Sequence, residues 1–100
     1  MITVKQTEAF CAWLSSLKDR QAVIRIESRL TQMQAGSFGD VKPCGAGVSE
    51  SRIHYGPGYR VYFVQRGAVL VVVLGGGTKR TQTRDIAKAK AIAEEVEKYL

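Results

Sequence analysis

The chain has 100 residues, 45% hydrophobic and 24% charged, with ten glycines and two prolines, a balance that supports one small globular domain over residues 1–100 and excludes a disordered tail or a multidomain machine. Fifteen Lys and Arg against nine Asp and Glu leave a net charge of +6, which favours a polyanionic partner such as nucleic acid. The longest apolar run, Ala68 to Leu74, is too short for a membrane-spanning helix.

In chain order, Ile2 to Lys5 alternates apolar and polar and predicts a short strand. From about Thr7 the spacing of Phe10, Trp13, Leu14 and Leu17 is helical, and Lys18-Asp19 ends that stripe. A second helix is predicted from about Arg20, with Ala22, Ile26, Leu30 and Met33 inward, Arg25 and Arg29 on a solvated face, and Ala35-Gly36 as its stop. Residues 36 to 47, rich in glycine, are expected to be a connecting loop. Three strands follow, Val48 to Tyr55, Tyr59 to Gln65 and Val69 to Gly75, as an antiparallel meander turning at Gly56-Pro57-Gly58 and Arg66-Gly67. After a loop from Gly75 to Lys79, the stripe Ile86, Ala89, Ala93, Val96 predicts a last helix, with Asp85 near its positive end and Glu94 paired to Lys98. The expected class is α+β, ordered β-α-α-β-β-β-α, with an antiparallel sheet packed by helices.

The charge is unevenly placed. Residues 52 to 84 carry Arg52, Arg60, Arg66, Lys79, Arg80 and Arg84 and no acid. A three-residue turn at Gly56-Pro57-Gly58 pairs Tyr55 with Tyr59 and puts Ile53, Tyr55, Tyr59, Val61 and Phe63 on one face, Arg52, His54, Arg60 and Tyr62 on the other. Through a two-residue turn at Arg66-Gly67, Leu70, Val72 and Leu74 join the apolar face, and Val69, Val71 and Val73 fall beside Arg60 and Tyr62. Three valines on a wet face form a surface for the last helix or a protein partner to cover.

The cationic face fits metal-free RNA cleavage, in which a base deprotonates the ribose 2′-OH and cations stabilise the phosphorane. His54 is the candidate base, expected to stay neutral among positive charges, with Arg52 and Arg60 beside it. Lys79, Arg80 and Arg84 are placed to hold a phosphate, Lys42 is a further cation, and Tyr62 is a candidate base-stacking ring. One His and two distant Cys make no zinc site. Cys11 is expected in the core and Cys44 in a loop, and with no apolar leader at the start the expectation is a cytoplasmic protein with reduced thiols.

Gly39-Asp40-Val41-Lys42-Pro43, the block Arg52-Ile53-His54-Tyr55-Gly56-Pro57-Gly58-Tyr59-Arg60-Val61-Tyr62-Phe63, and Gly76-Gly77-Thr78-Lys79 with Gln82 and Asp85-Ile86 resemble the addiction-module killer proteins, the HigB-like branch of the RelE/ParE toxin superfamily. Phe10, Trp13-Leu14 and Leu17-Lys18-Asp19 extend the resemblance over nearly the whole chain. It implies a RelE/ParE-like fold and a type II toxin held inactive by a cognate antitoxin. That antitoxin usually carries a helix-turn-helix domain, through which alone the pair touches operator DNA. It further implies cleavage of mRNA on the ribosome with no metal or other cofactor. Carried over, Arg60 matches the arginine after Gly-Tyr, Arg52 and His54 the alternating basic positions before it, and Lys79-Arg80 the basic pair after the last strand. Well-studied nucleases of the superfamily place a Tyr or His near the start of the final helix, where this chain has Thr83, Asp85 and Ile86, so the resemblance implies either another base or acid, with His54 the best candidate, or a weak or lost nuclease activity. The ParE-like branch, with the same fold, implies a non-enzymatic alternative, inhibition of DNA gyrase, and a third possibility is an inactive antitoxin-binding module.

Overall fold

A computed structural model describes residues 1–100. Strand β1 (Thr3–Gln6) leads into helix α1 (Glu8–Ser16) and helix α2 (Arg20–Gln34). Strands β2 (Asp40–Gly45), β3 (Val48–Ile53), β4 (Tyr59–Arg66) and β5 (Leu70–Thr78) follow. A 3-10 turn at Lys79–Thr81 then enters helix α3 (Gln82–Glu97). The five strands form one mixed sheet in the order β1-β5-β4-β3-β2, antiparallel throughout except for β1, which runs parallel to β5.

Two caps fix the helix starts. Thr7 Oγ1 accepts from the Phe10 N–H and donates to the Leu74 carbonyl, so α1 begins where β1 leaves the sheet. Asp19 accepts from the Gln21 and Ala22 N–H groups at 2.9 and 3.3 Å and opens α2. The stripe Ala22, Ile26, Leu30, Met33 then packs with Phe10 on Ile53, Tyr59, Val61, Phe63, Val71 and Val73 as one core. On the other side of the sheet, Ala89 and Ala93 of α3 lie on Val48, Tyr62, Val64, Val72 and Leu74. The molecule is thus three layers, with α1 and α2 below the sheet and α3 above it.

Several expectations are corrected. The stretch read as a loop contains β2, an edge strand whose Pro43 needs no ladder partner for its missing N–H. The order is therefore β-α-α-β-β-β-β-α, and the sheet is mixed rather than antiparallel. In the β3–β4 hairpin Ile53 pairs with Tyr59 and Arg52 with Arg60, a two-residue shift that leaves the predicted faces intact. The next turn is three residues long, setting Arg66 opposite Leu70, and a bulge between Tyr62 and Phe63 shifts the register again. One residue more in the turn moves Val71 and Val73 into the lower core and Val72 and Leu74 beneath α3, the reverse of the predicted sides. β5 also continues to Thr78 through the segment read as a loop. Lys98 pairs with Glu95 rather than Glu94, and Cys11 is exposed rather than in the core.

Candidate functional site

The start of α3 covers one end of the upper sheet face over β5 and leaves the β2 and β3 side partly exposed. A row of cross-strand partners crosses this end, Asp40 on β2 beside Arg52 on β3, Arg52 beside Arg60 on β4, and Arg60 beside Gly77 on β5. Two arginines directly opposed repel each other. Each is answered by one acid from outside the basic segment. Arg52 Nη2 donates to Asp40 Oδ1 at 2.9 Å, and Arg60 Nε lies 3.7 Å from Glu50 Oε2.

Glu50 is the floor of the site. It is 1% exposed and accepts from Gln82 Nε2 of α3 at 3.0 Å on each oxygen, so the carboxylate is anchored to both the sheet and the helix above it. Arg60, 8% exposed, also donates from Nη1 to the Gly58 carbonyl, which accepts the Lys79 N–H as well. Gly58 has φ +81, and a Cβ there would stand 3.1 Å from the Arg60 guanidinium, so glycine suits both the turn and the approach. This shared carbonyl locks the Arg60 side chain to the 3-10 turn carrying Lys79 and Arg80, both exposed.

His54 stands at the rim, 73% exposed, with Nε2 2.7 Å from Asp40 Oδ2. The expected cations are close by, Arg52 among them, but the charged group that bonds the ring is a carboxylate that was not expected there. Asp40 divides its two oxygens between Arg52 and His54, whose hydrogen bonds, Arg52 first, hold its pKa below the ordinary value. The same bond raises the Arg52 pKa. Below the rim, His54 borders a cleft of about 490 Å³ lined also by Arg25, Ser28, Arg29 and Gln32 of α2. The solvated face predicted for these arginines holds for Arg25, which is exposed, and is corrected for Arg29, which is half-buried. Arg25 lies 4.6 Å over the Tyr55 ring, and Arg29 Nη1 donates to Ser51 Oγ and to the Arg52 carbonyl at 2.6 and 2.9 Å. Burial lowers the Arg29 pKa.

The remaining expected site residues separate. Arg84 is exposed, its Nε 3.8 Å from Asp85 Oδ1, and Lys42 is exposed on β2 opposite Glu50. Tyr62 is fully buried and cannot stack a base, and its hydroxyl has no protein partner; burial first, then Glu50, raises its pKa far above the ordinary value. Val71 and Val73 are fully buried and offer no surface for a partner, whereas Val69 in the turn is 68% exposed. Cys44 is half-buried, and burial raises its thiol pKa, which argues against a reactive thiolate. Asp40, Glu50 and Gln82 were missed as site residues. The signal emerges only once β2 is recognised as a strand, when Asp40 and Lys42 face Arg52 and Glu50 across the Ala46-Gly47 turn as charge-matched partners.

Near the start of α3, Asp85 is held by the Thr81 hydroxyl, and it packs so closely on Gly77 that a Cβ there would overlap its carboxylate. Trp13 covers Gly76 in the same manner from below. No group of three or more His, Cys, Asp or Glu side chains is arranged to hold a metal ion. No helix is long and apolar enough to cross a membrane.

Over 95 residues, 95% of this chain and 96% of the relative, the sequence is 45% identical to a Haemophilus influenzae protein described as "Uncharacterized protein". The chain belongs to that protein's family. No family model matches the chain.

Proposed function

We propose that this chain is the toxin of a type II toxin–antitoxin module, acting in the cytoplasm as a metal-independent mRNA interferase with a RelE/ParE-like fold. The observation that carries the reading is the directly opposed pair Arg52 and Arg60, with His54 two residues from Arg52 and Lys79 bound to the same carbonyl as Arg60. Two arginines at directly opposed strand positions gather positive charge that repels within the fold and that a phosphorane, with charge on its equatorial oxygens, would use.

In the proposed reaction His54 takes the 2′-hydroxyl proton as the 2′-oxygen bonds to phosphorus. The 5′-oxygen leaves with the electron pair of its bond and takes a proton from water, giving a 2′,3′-cyclic phosphate and a 5′-hydroxyl. Arg52 and Arg60 stabilise the phosphorane, while Lys79, Arg80 and Arg84 hold the flanking phosphates. The cognate antitoxin, the ribosome and the message are the partners in this reading, and operator DNA is reached only through the antitoxin. Of the three valines expected to meet the antitoxin, only Val69 remains available.

The test is brief induction of the wild type and of His54→Ala in a bacterium, with new 5′ ends mapped on a reporter mRNA. His54 is the better first variant because its side chain is 73% exposed and its loss leaves no buried charge. Cuts in translated frames that vanish with His54→Ala are the expected result. Growth arrest without cuts refutes the nuclease and turns attention to gyrase.

A further inference from the structure

We propose that Asp40 is a positioning residue for His54, holding the imidazole with its proton on Nε2 and leaving Nδ1 as the atom that accepts the ribose proton. This rests on the nuclease reading above. Asp40 spans the gap between β2 and β3 and gives one oxygen to each neighbour, Oδ1 to Arg52 at 2.9 Å and Oδ2 to His54 Nε2 at 2.7 Å. An ionised carboxylate accepts hydrogen bonds and cannot donate them, so the hydrogen between Oδ2 and Nε2 belongs to the ring. In the neutral imidazole the other nitrogen then carries the lone pair.

The arrangement is useful because His54 has no other anchor. It follows the last residue of β3, its side chain is 73% exposed, and no other side chain bonds it. An unanchored ring on a strand end turns freely, and a base that must meet a 2′-hydroxyl loses rate with every orientation it samples. Asp40 is itself held by Arg52, and the carbonyl of Arg52 is held by Arg29 of α2, so the base is referenced to the rigid part of the fold. The charged groups around the ring are Asp40 and Arg52 from the sheet and Arg25 and Arg29 from α2. Asp40 is the sole acid among them.

His54 is the only histidine in the chain, so its ring resonances report on this site alone. The experiment compares wild type, Asp40→Asn, Arg52→Gln, His54→Ala and the Asp40→Asn/His54→Ala double variant, with the amide spectrum of each checking the fold. In the wild type a hydrogen-bonded Nε2–H proton is expected as one downfield imidazole resonance. It is expected to persist in Arg52→Gln and to disappear or shift in Asp40→Asn. In a reconstituted translation reaction, His54→Ala is expected to slow mRNA cleavage by about 100-fold, the low end of acid–base catalysis. Asp40→Asn is expected to cost about tenfold, and the double variant no more than His54→Ala, since a positioning residue acts only through the group it positions. An Asp40→Asn protein with wild-type cleavage and an unchanged imidazole resonance overturns the proposal. Additive losses in the double variant also overturn it. If the resonance behaves as expected but the wild type cuts no RNA, Asp40's hold on the ring is supported and the nuclease reading fails.

Discussion

Arg60 is the obvious residue to remove in testing a nuclease, and the structure predicts that Arg60→Met damages the fold before it informs on chemistry. Arg60 is 8% exposed, and its Nε lies 3.7 Å from the carboxylate of Glu50, 1% exposed. Removing one partner of such a pair strands a buried charge, at about 3–5 kcal/mol. Glu50 keeps both bonds from Gln82, so the low end applies, about 3 kcal/mol. With an unfolding slope of about 2 kcal/mol/M, the urea midpoint falls by about 1.5 M. In the double variant Arg60→Met/Glu50→Gln no charge is stranded, and the midpoint is expected to return to within about 0.5 M of wild type, since the remaining amide oxygen at position 50 still accepts one hydrogen bond from Gln82 Nε2. Equilibrium urea unfolding followed by the single tryptophan measures all three proteins. A single variant with the wild-type midpoint, or a double variant no better than the single, refutes the reasoning. Under the proposed nuclease reading, RNA cleavage by the double variant then separates the loss of the proposed phosphate contact from the loss of the fold.

Asp19→Ala removes the α2 cap and the acceptor of the Tyr55 hydroxyl at 3.0 Å, and is expected to cost about 1–2 kcal/mol in urea unfolding. The Tyr55 phenol, whose pKa that bond raises, then titrates at lower pH; an unchanged ultraviolet titration would count against the contact. Tyr62→Phe deletes a buried hydroxyl with no protein partner and is expected to raise stability by up to about 1 kcal/mol, a lower urea midpoint being the contrary result. The native pKa of Asp40 lies below its ordinary value, so its pairing stabilises the fold above about pH 4, and that contribution is lost as pH falls through the lowered native value. Asp40→Asn is therefore expected to flatten the acid limb of the stability–pH curve, and an unaltered limb would show that the pairing contributes nothing.

The helices were legible because their signals are local. The stripes of Phe10, Trp13, Leu14 and of Ala22, Ile26, Leu30, Met33 lie on the faces they predicted, and Asp19 caps the helix that follows it. The sheet was legible where one hairpin could be solved by parity, since a two-residue error in register leaves every side chain on its own face. It was illegible where one residue of turn length decided the outcome, as at Gly67-Ala68-Val69, and where glycine and proline disguised an edge strand at Asp40–Gly45. The cations of the site were visible in the charge distribution. Their acids were not, because Glu50 and Asp40 precede the basic segment in sequence and meet it only through strand pairing.

The parallel pairing of β1 with β5 has a consequence for how the molecule comes into being. Thr3 to Gln6 meet Leu70 to Val73, so the first element made is joined to nearly the last strand made, across a long loop. Ahead of β5 the first segment has only α2 to dock on, through the Ile2 N–H to the Gln34 carbonyl, and α1, whose cap Thr7 donates to the Leu74 carbonyl, lacks that anchor as well. Contacts so distant in sequence make for slow folding. A chain released before β5 is complete lacks the partner of its first strand, the basic turn at Lys79–Thr81 and the glutamine that anchors Glu50. Early release therefore yields a fragment with neither a closed sheet nor the assembled cationic site, both of which form only once β5 and the start of α3 are made.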